Sequence, residues 1–152
     1  MIRFIGPRMA AILVVAAATT AVLTAADNQR ERQREERFTV SPIGHVQKTD
    51  GRTLIVVKEQ YEPALLGVDK LEHIWVLWWF DRNDTPEKRS ILQVHPRGNP
   101  ANPIRGVFAT HSPVRPNLIA MTRCKVLSVK GNVIEVEGID AFDDTPVLDI
   151  KS

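Results

Sequence analysis

The chain of 152 residues has one cysteine, Cys124, and one tyrosine, Tyr61. A single thiol excludes an intramolecular disulfide, so packing must hold the fold, and Cys124, which alternates with apolar neighbours, reads as part of the core. None of its 8 glycines falls in a strand-turn-helix Gly-x-Gly-x-x-Gly run, which excludes a Rossmann-type cofactor site. The four histidines, His45, His73, His95 and His111, lack the close spacing of metal ligands, so no metal site is expected. Ser112 beside His111 does not suggest a hydrolase, because adjacent side chains rarely meet as nucleophile and base and no strand-turn-helix elbow presents the serine. There is no internal repeat.

An excess of charge is missing as well. The formal net charge of +2 resides in the first 26 residues, where Arg3 and Arg8 stand without an acid; the remainder balances 18 basic against 18 acidic residues. Net charge therefore gives no support for a nucleic-acid partner. The distribution is more informative. From Lys88 to Ile134 there is no Asp or Glu but there are Lys88, Arg89, Arg97, Arg105, Arg115, Arg123, Lys125 and Lys130, whereas Glu135, Glu137, Asp140, Asp143, Asp144 and Asp149 follow. The first stretch suits anionic groups and the second suits hydroxyls and cations, or each is a solvated strand face.

What is present begins with a leader. The uncharged run Met9 to Ala26 follows Arg3 and Arg8 and ends in Thr24-Ala25-Ala26, the pattern of a secretory signal peptide with a small-residue cleavage site. Its length of 18 residues, roughly 27 Å as a helix at about 1.5 Å per residue, also approaches the ~30 Å of a bilayer core, so residues 1–26 are expected to be a signal peptide or a membrane anchor. Either one places the domain outside the cytoplasm, exported to the periplasm or exterior. Residues 27–37, with Arg30-Glu31-Arg32-Gln33-Arg34-Glu35-Glu36-Arg37, have no apolar stripe and read as a charged linker. The domain is expected over 38–152, long enough for one core.

Within it the pattern is that of an all-β protein. Phe38 to Val46 alternates, Leu54-Ile55-Val56-Val57 is rich in β-branched residues, and Asp50-Gly51 between them predicts a hairpin. Ile74 to Phe80 is an unbroken apolar run that predicts a strand covered on both faces, with its four aromatics in the core. Ile104 to Ala109 and Leu118 to Val129 are further strand candidates, and Lys130-Gly131-Asn132 turns into Val133 to Glu137. Only Glu62 to Lys70 has a helical pattern. Six prolines between Pro86 and Pro116 break helix and fix irregular loops.

Two long motifs give this pattern a family. Gly106-Val107-Phe108-Ala109-Thr110-His111-Ser112-Pro113-Val114-Arg115-Pro116-Asn117 and Asp140-Ala141-Phe142-Asp143-Asp144-Thr145-Pro146-Val147-Leu148-Asp149-Ile150-Lys151 resemble the signatures of the TrmO (YaeB-like, TsaA-like) family of S-adenosylmethionine-dependent methyltransferases, which methylate threonylcarbamoyl-adenosine beside the tRNA anticodon. The resemblance runs back through Ile43-Gly44, Tyr61 to Gly67 and His73 to Phe80. It implies a small β-barrel with a minor helix, a homodimer, S-adenosylmethionine as cofactor and tRNA as partner if the protein is cytoplasmic; the leader adds the membrane as another. It implies cofactor contacts from Asp81, Arg82, His111, Met121, Asp140, Ala141, Phe142 and Asp143, and substrate contacts from Arg115 and Asn117. It assigns no catalytic residue. Arg115 would fork onto a carboxylate or phosphate, or pair with Asp140 or Asp149.

The chain also departs from the family pattern. His111 stands where the family has Arg, Phe80-Asp81 where His is usual, Ala120 and Asp144 where Gly is usual, and only Gln47 to Arg52 replaces a longer Pro-, Arg- and Gln-rich insertion that reaches the cofactor. Two functions follow: a methyltransferase, or a non-catalytic binding module outside the cytoplasm that retains the motifs for folding.

Overall fold

The computed structural model describes residues 38–152; the expected leader and linker, residues 1–26 and 27–37, lie outside the described residues. Among the described residues eight strands form: β1 (Gly44–Thr49), β2 (Arg52–Val57), β3 (His73–Trp79), β4 (Gln93–Val94), β5 (Arg105–Gly106), β6 (Ile119–Lys130), β7 (Val133–Glu137) and β8 (Pro146–Lys151). Six of them close an antiparallel barrel in the order β1-β2-β7-β6-β3-β8, and β4 pairs with β5 in a separate short hairpin. Closure removes the free sheet edges. The joining pairs of β1 with β8 are Gly44 with Val147 and His45 with Pro146.

The barrel fills by alternation. Val46, Ile55, Val57, Ile74, Val76, Trp78, Ala120, Cys124, Ile134, Val136 and Val147 point inward and form one buried cluster, while the side chains between them face out. Cys124 thus lies in the core, and burial pushes its thiol up from 9.0 to about 11, with the charge of Asp140 adding to the effect. Two irregularities adjust the wall. β8 slips against β3 between Leu77 and Trp78, so that Val147 and Leu148 are both buried, and β6 slips against β7 at Leu127.

The hairpin turns follow local chemistry. Asp50 and Gly51 take φ of 48° and 75°, the pair of left-handed conformations that a two-residue hairpin turn needs and that Asp-Gly tolerates. Gly44 has a different reason: a Cβ there would collide with the Val56 carbonyl oxygen across the β1–β2 pair.

Several expectations need correction. The first strand begins at Gly44 rather than Phe38; Pro42 has no N–H to give a ladder, and Val40 is exposed. The segment expected to be helical instead forms 3₁₀ turns at Glu59–Leu65 and Val68–Lys70, because Pro63 removes a donor and Gly67, at φ 87°, ends the first turn. The one α-helix among the described residues is α1 (Pro86–Arg89), started by Pro86 and by Thr85 Oγ1 accepting from Lys88 N. Ile104 to Ala109 yields only the two residues of β5 before a 3₁₀ turn at Val107–Ala109, since its partner β4 ends before Pro96, which cannot donate. Finally, β3 is covered on one face only: Ile74, Val76 and Trp78 are buried, but Trp75 is exposed and Leu77 and Trp79 are half-buried on the outside of the barrel.

Candidate functional site

At the rim of the barrel, where β3 ends and β6 begins, lies a cleft of about 1020 Å³, at the upper end of the ~300–1,000 Å³ found for small-molecule sites. Four segments line it: Trp78 to Asn83, Phe108 to Arg115, Ile119 to Thr122 and Gly138 to Phe142. Of the residues singled out in the sequence, Asp81, Arg82, His111, Arg115, Met121, Asp140 and Phe142 come together there. Ala141, Asp143 and Asn117 do not line the cleft.

The acidic motif shows why neighbours separate. Ile139 and Ala141 are buried in the core, so the intervening Asp140 and the following Phe142 are turned outward, as alternation along an extended segment requires. Asp143 then faces β1, where its Oδ1 accepts from Lys48 N at 2.7 Å. Asp144 follows at φ 63°, donating its N–H to the Val46 carbonyl, and Val46 N donates back to the Thr145 carbonyl. Asp143 and Asp144 thus fasten the motif to the β1–β2 hairpin. The left-handed φ also explains what the family's Gly does at position 144: Asp pays a modest strain that Gly avoids.

Opposite stands the loop of the first motif. Val107 is buried and anchors it, and Thr110 Oγ1 donates to the Val107 carbonyl at 3.0 Å while accepting from Ser112 N at 3.2 Å. Ser112 Oγ accepts from Val114 N, which leaves it tied into the turn. Arg115 reaches back to the Thr110 carbonyl at 3.3 Å; among the described residues it forms no ion pair with Asp140 or Asp149, the latter being paired with Lys151. His111 is exposed on the loop.

The remaining walls are aromatic. The Arg82 guanidinium lies 3.9 Å from the centre of the Phe142 ring, a cation–π contact that links the turn after β3 to the acidic motif. Trp78 packs edge-on against Phe80 at 4.8 Å and donates from Nε1 to Thr122 Oγ1 at 3.1 Å, which joins β3 to β6 beneath the cleft. Phe108, 78 % exposed, stands at the edge.

A second group of contacts was not visible in sequence. Arg89 on α1 donates to Asp84 Oδ1 and to the Pro116 carbonyl, both at 2.8 Å, and stacks over Trp79 at 5.3 Å. Trp79 Nε1 also donates to Asp84. The Arg89 guanidinium holds the Asp84 carboxyl below the usual carboxylate range. This clamp ties the segment after β3 to the end of the first motif, 27 residues away. Trp78, Phe80, Phe108, Thr122 and Gly138 are cleft residues that sequence reasoning likewise missed as site residues; the alternation around Trp78 and the place of Phe108 inside the first motif were the available signals.

Comparison with known proteins fits this arrangement. The family model described as the tRNA-methyltransferase O N-terminal domain matches residues 33–152. A probable S-adenosyl-L-methionine-binding protein of Methanocaldococcus jannaschii is 42 % identical over 114 residues, 75 % of this chain and 90 % of the relative. Its counterpart in Pyrococcus horikoshii is 43 % identical over 116 residues, 76 % and 82 % of the two chains. The human tRNA (adenine(37)-N6)-methyltransferase is 42 % identical over 90 residues, covering 59 % of this chain but 20 % of that protein. The crystal structure of TrmO from P. aeruginosa superposes with a TM-score of 0.59 at 26 % identity, covering 78 % of this chain and 55 % of that one. The chain therefore spans about half the length of that solved TrmO. On the match across residues 33–152 and these identities, the chain belongs to the family of the tRNA-methyltransferase O N-terminal domain.

Proposed function

We propose that the cleft binds S-adenosylmethionine and that the protein methylates an adenosine nitrogen of tRNA, the threonylcarbamoylated adenosine beside the anticodon being the expected acceptor. The observation that carries this reading is the convergence of Asp81, Arg82, His111, Arg115, Met121, Asp140 and Phe142, from four separate segments, on one cleft. The donor set suits the cofactor. Carboxylates at Asp81 and Asp140 accept from ribose hydroxyls or an ammonium, Arg115 and His111 suit a carboxylate, and Phe142 and Met121 supply apolar surface for the cofactor's base. Bound there, S-adenosylmethionine would supply an activated methyl group.

The residues of this chain contribute position more than acid-base chemistry. Arg82 and Phe142 brace one wall, the Thr110–Ser112 turns brace the other, and the Trp78–Thr122 bond fixes the floor. Holding two reactants in register accounts for much of such an acceleration. The measurement is transfer of labelled methyl from S-adenosylmethionine to tRNA by the full chain. Label in an adenosine beside the anticodon supports the proposal, and a correctly folded protein that binds cofactor but labels no RNA refutes the catalytic half.

A second reading rests on the leader pattern of Met1 to Ala26 and on His111 in place of Arg. In it the domain is exported and serves as a non-catalytic binding or interaction module. Cell fractionation separates the two: full-length soluble protein in the cytoplasm favours the tRNA enzyme, and a processed or membrane-bound form outside it favours the module. A homodimer is proposed through the outer face of β3 and β6, where Trp75, Ile119 and Met121 are exposed on adjacent strands. Light scattering of the full chain gives its mass, and a monomer at high concentration refutes the dimer.

A further inference from the structure

Beside the cofactor cleft lies a second groove, of about 1150 Å³, bordered by the β4–β5 hairpin, the turn at Pro96–Gly98 and the far side of the loop from Ala109 to Val114. Ala109, Thr110, His111 and Pro113 line both spaces, so one short stretch of backbone is their common wall. The charged lining of the groove is all of one sign: Arg97 and Arg105 contribute guanidinium groups, and no carboxylate faces it. His95 and His111 add imidazole rings. Neither arginine pairs with an acid among the described residues, and both are exposed. Between these groups Ile91, Val94, Pro96, Pro103 and Val114 add apolar surface, interrupted by Gln93, Asn102, Thr110 and Ser112.

The groove is built in advance of any partner. His95 Nδ1 lies 2.7 Å from the Asn102 carbonyl, Asn102 Nδ2 donates to the Pro96 carbonyl at 2.8 Å, and Ala101 N donates to Asn99 Oδ1 at 3.0 Å. Gly98 N closes the turn on the His95 carbonyl at 3.0 Å. Because a carbonyl only accepts, His95 Nδ1 must be the donor, and Nε2 is left to accept from a ligand. Arg97 is held at φ 60°, a conformation that costs a residue with a Cβ about 1 kcal/mol or more and that persists only where the surroundings impose it.

We infer that this groove holds the sugar-phosphate backbone of a single-stranded RNA segment, with the phosphates on Arg97 and Arg105, so that one base passes over the Ala109–Pro113 wall into the cofactor cleft. The inference rests on the methyltransferase reading for the role of the cleft but stands on the groove's own charge and shape. A small anion would leave the apolar lining unused, whereas a polynucleotide offers phosphates to the two arginines and base faces to the apolar side chains together, as in other basic grooves that track a single strand. Phe108, 78 % exposed at the edge of the cleft next to the shared wall, is the side chain placed to stack on the incoming base.

The test is fluorescence anisotropy of the full chain with a short RNA hairpin at several salt concentrations, without cofactor. Affinity should fall with salt, by a log–log slope of about −0.7 per single-strand phosphate contacted. Arg97→Asn with Arg105→Gln, chosen because Asn tolerates the left-handed backbone, should weaken RNA binding at least about tenfold and make the slope shallower by about 1.4, while S-adenosylmethionine binding measured by calorimetry and thermal stability stay as in the parent. RNA affinity unchanged in the double variant would overturn the inference. So would displacement of the hairpin by polyglutamate as effectively as by unlabelled RNA, which would mark a general polyanion surface. Loss of cofactor binding in the parent with RNA binding intact would instead refute the methyltransferase reading and leave the groove standing.

Discussion

The barrel and the segment from Asp81 to Asn117 are held together by different means. In the barrel, side chains alternate across a closed sheet, and Val46, Ile55, Ile74, Val76, Cys124 and Ile134 lose nearly all contact with water. The intervening segment has one buried apolar anchor, Val107, and otherwise depends on proline, short turns and side-chain bonds to backbone such as Thr110 to Val107 and Arg89 to Pro116. The chemistry sits where the two meet. A rigid wall supplies fixed positions, and a loop of exposed polar groups supplies the chemistry, the usual division of labour between scaffold and loop.

The contrast is broken most severely from the barrel side. Ile74→Ala should cost about 2–5 kcal/mol of unfolding free energy, as a cavity in a closed core does. Denaturant titration checks it, and a loss below about 1 kcal/mol would mean that the barrel is less tightly packed than its burial implies. The buried thiol gives a pH signature. Cys124 is raised from 9.0 to about 11 in the fold, so the folded chain keeps its proton where the unfolded chain releases it. The stabilising contribution is complete below the unfolded value and is lost as pH rises through about 11, by roughly 2–3 kcal/mol at 1.36 kcal/mol per unit. Stability measured between these pH values should fall more steeply in the parent than in Cys124→Ala; parallel curves would count against it.

Changes on the loop side should leave the barrel intact. His111→Arg adds one charge-assisted contact, about 1.5–3 kcal/mol, and should tighten S-adenosylmethionine binding by ten- to a hundred-fold with little change in melting temperature. Asp144→Gly relieves the left-handed strain at φ 63° and should stabilise by about 0.5–1 kcal/mol, read as a higher melting temperature. The effect on global unfolding of Arg89→Ala is also expected to be small, under about 1 kcal/mol, because its pair with Asp84 is partly exposed. Proteolysis within the segment from Asp84 to Asn117 should nevertheless accelerate, and equal cleavage rates would show that the clamp does not hold that segment.

The same contrast decides what could be read from the sequence. The strand expected at Ile74 to Phe80, which forms over His73–Trp79, followed from the length of its apolar run, and the turns at Asp50-Gly51 and Lys130-Gly131-Asn132 from turn chemistry, since both are local. Which face of β3 is covered was not local: closure of the barrel buries Trp78 and leaves Trp75 outside, and an apolar run carries no phase. The helical pattern at Glu62 to Lys70 was overridden by Pro63 and Gly67. For the cleft, the two motifs supplied Asp140, Phe142, His111 and Arg115 because each lies in a recognisable run. They did not separate Asp140 from Asp143, which differ only in what the strand phase and the Lys48 amide do with each. The Arg89 clamp joins residues 27 apart with no repeating pattern between them, so nothing in the sequence announced it.

The most direct test of the account is calorimetric titration of the full-length protein with S-adenosylmethionine, set beside the same titration of Asp140→Ala. Saturable binding by the parent, weakened at least about tenfold when Asp140 is removed and with thermal stability unchanged, is the result expected of a cleft whose carboxylate holds the cofactor. Absence of binding by a correctly folded parent, or identical affinity in the variant, would contradict the assignment of this cleft to the cofactor.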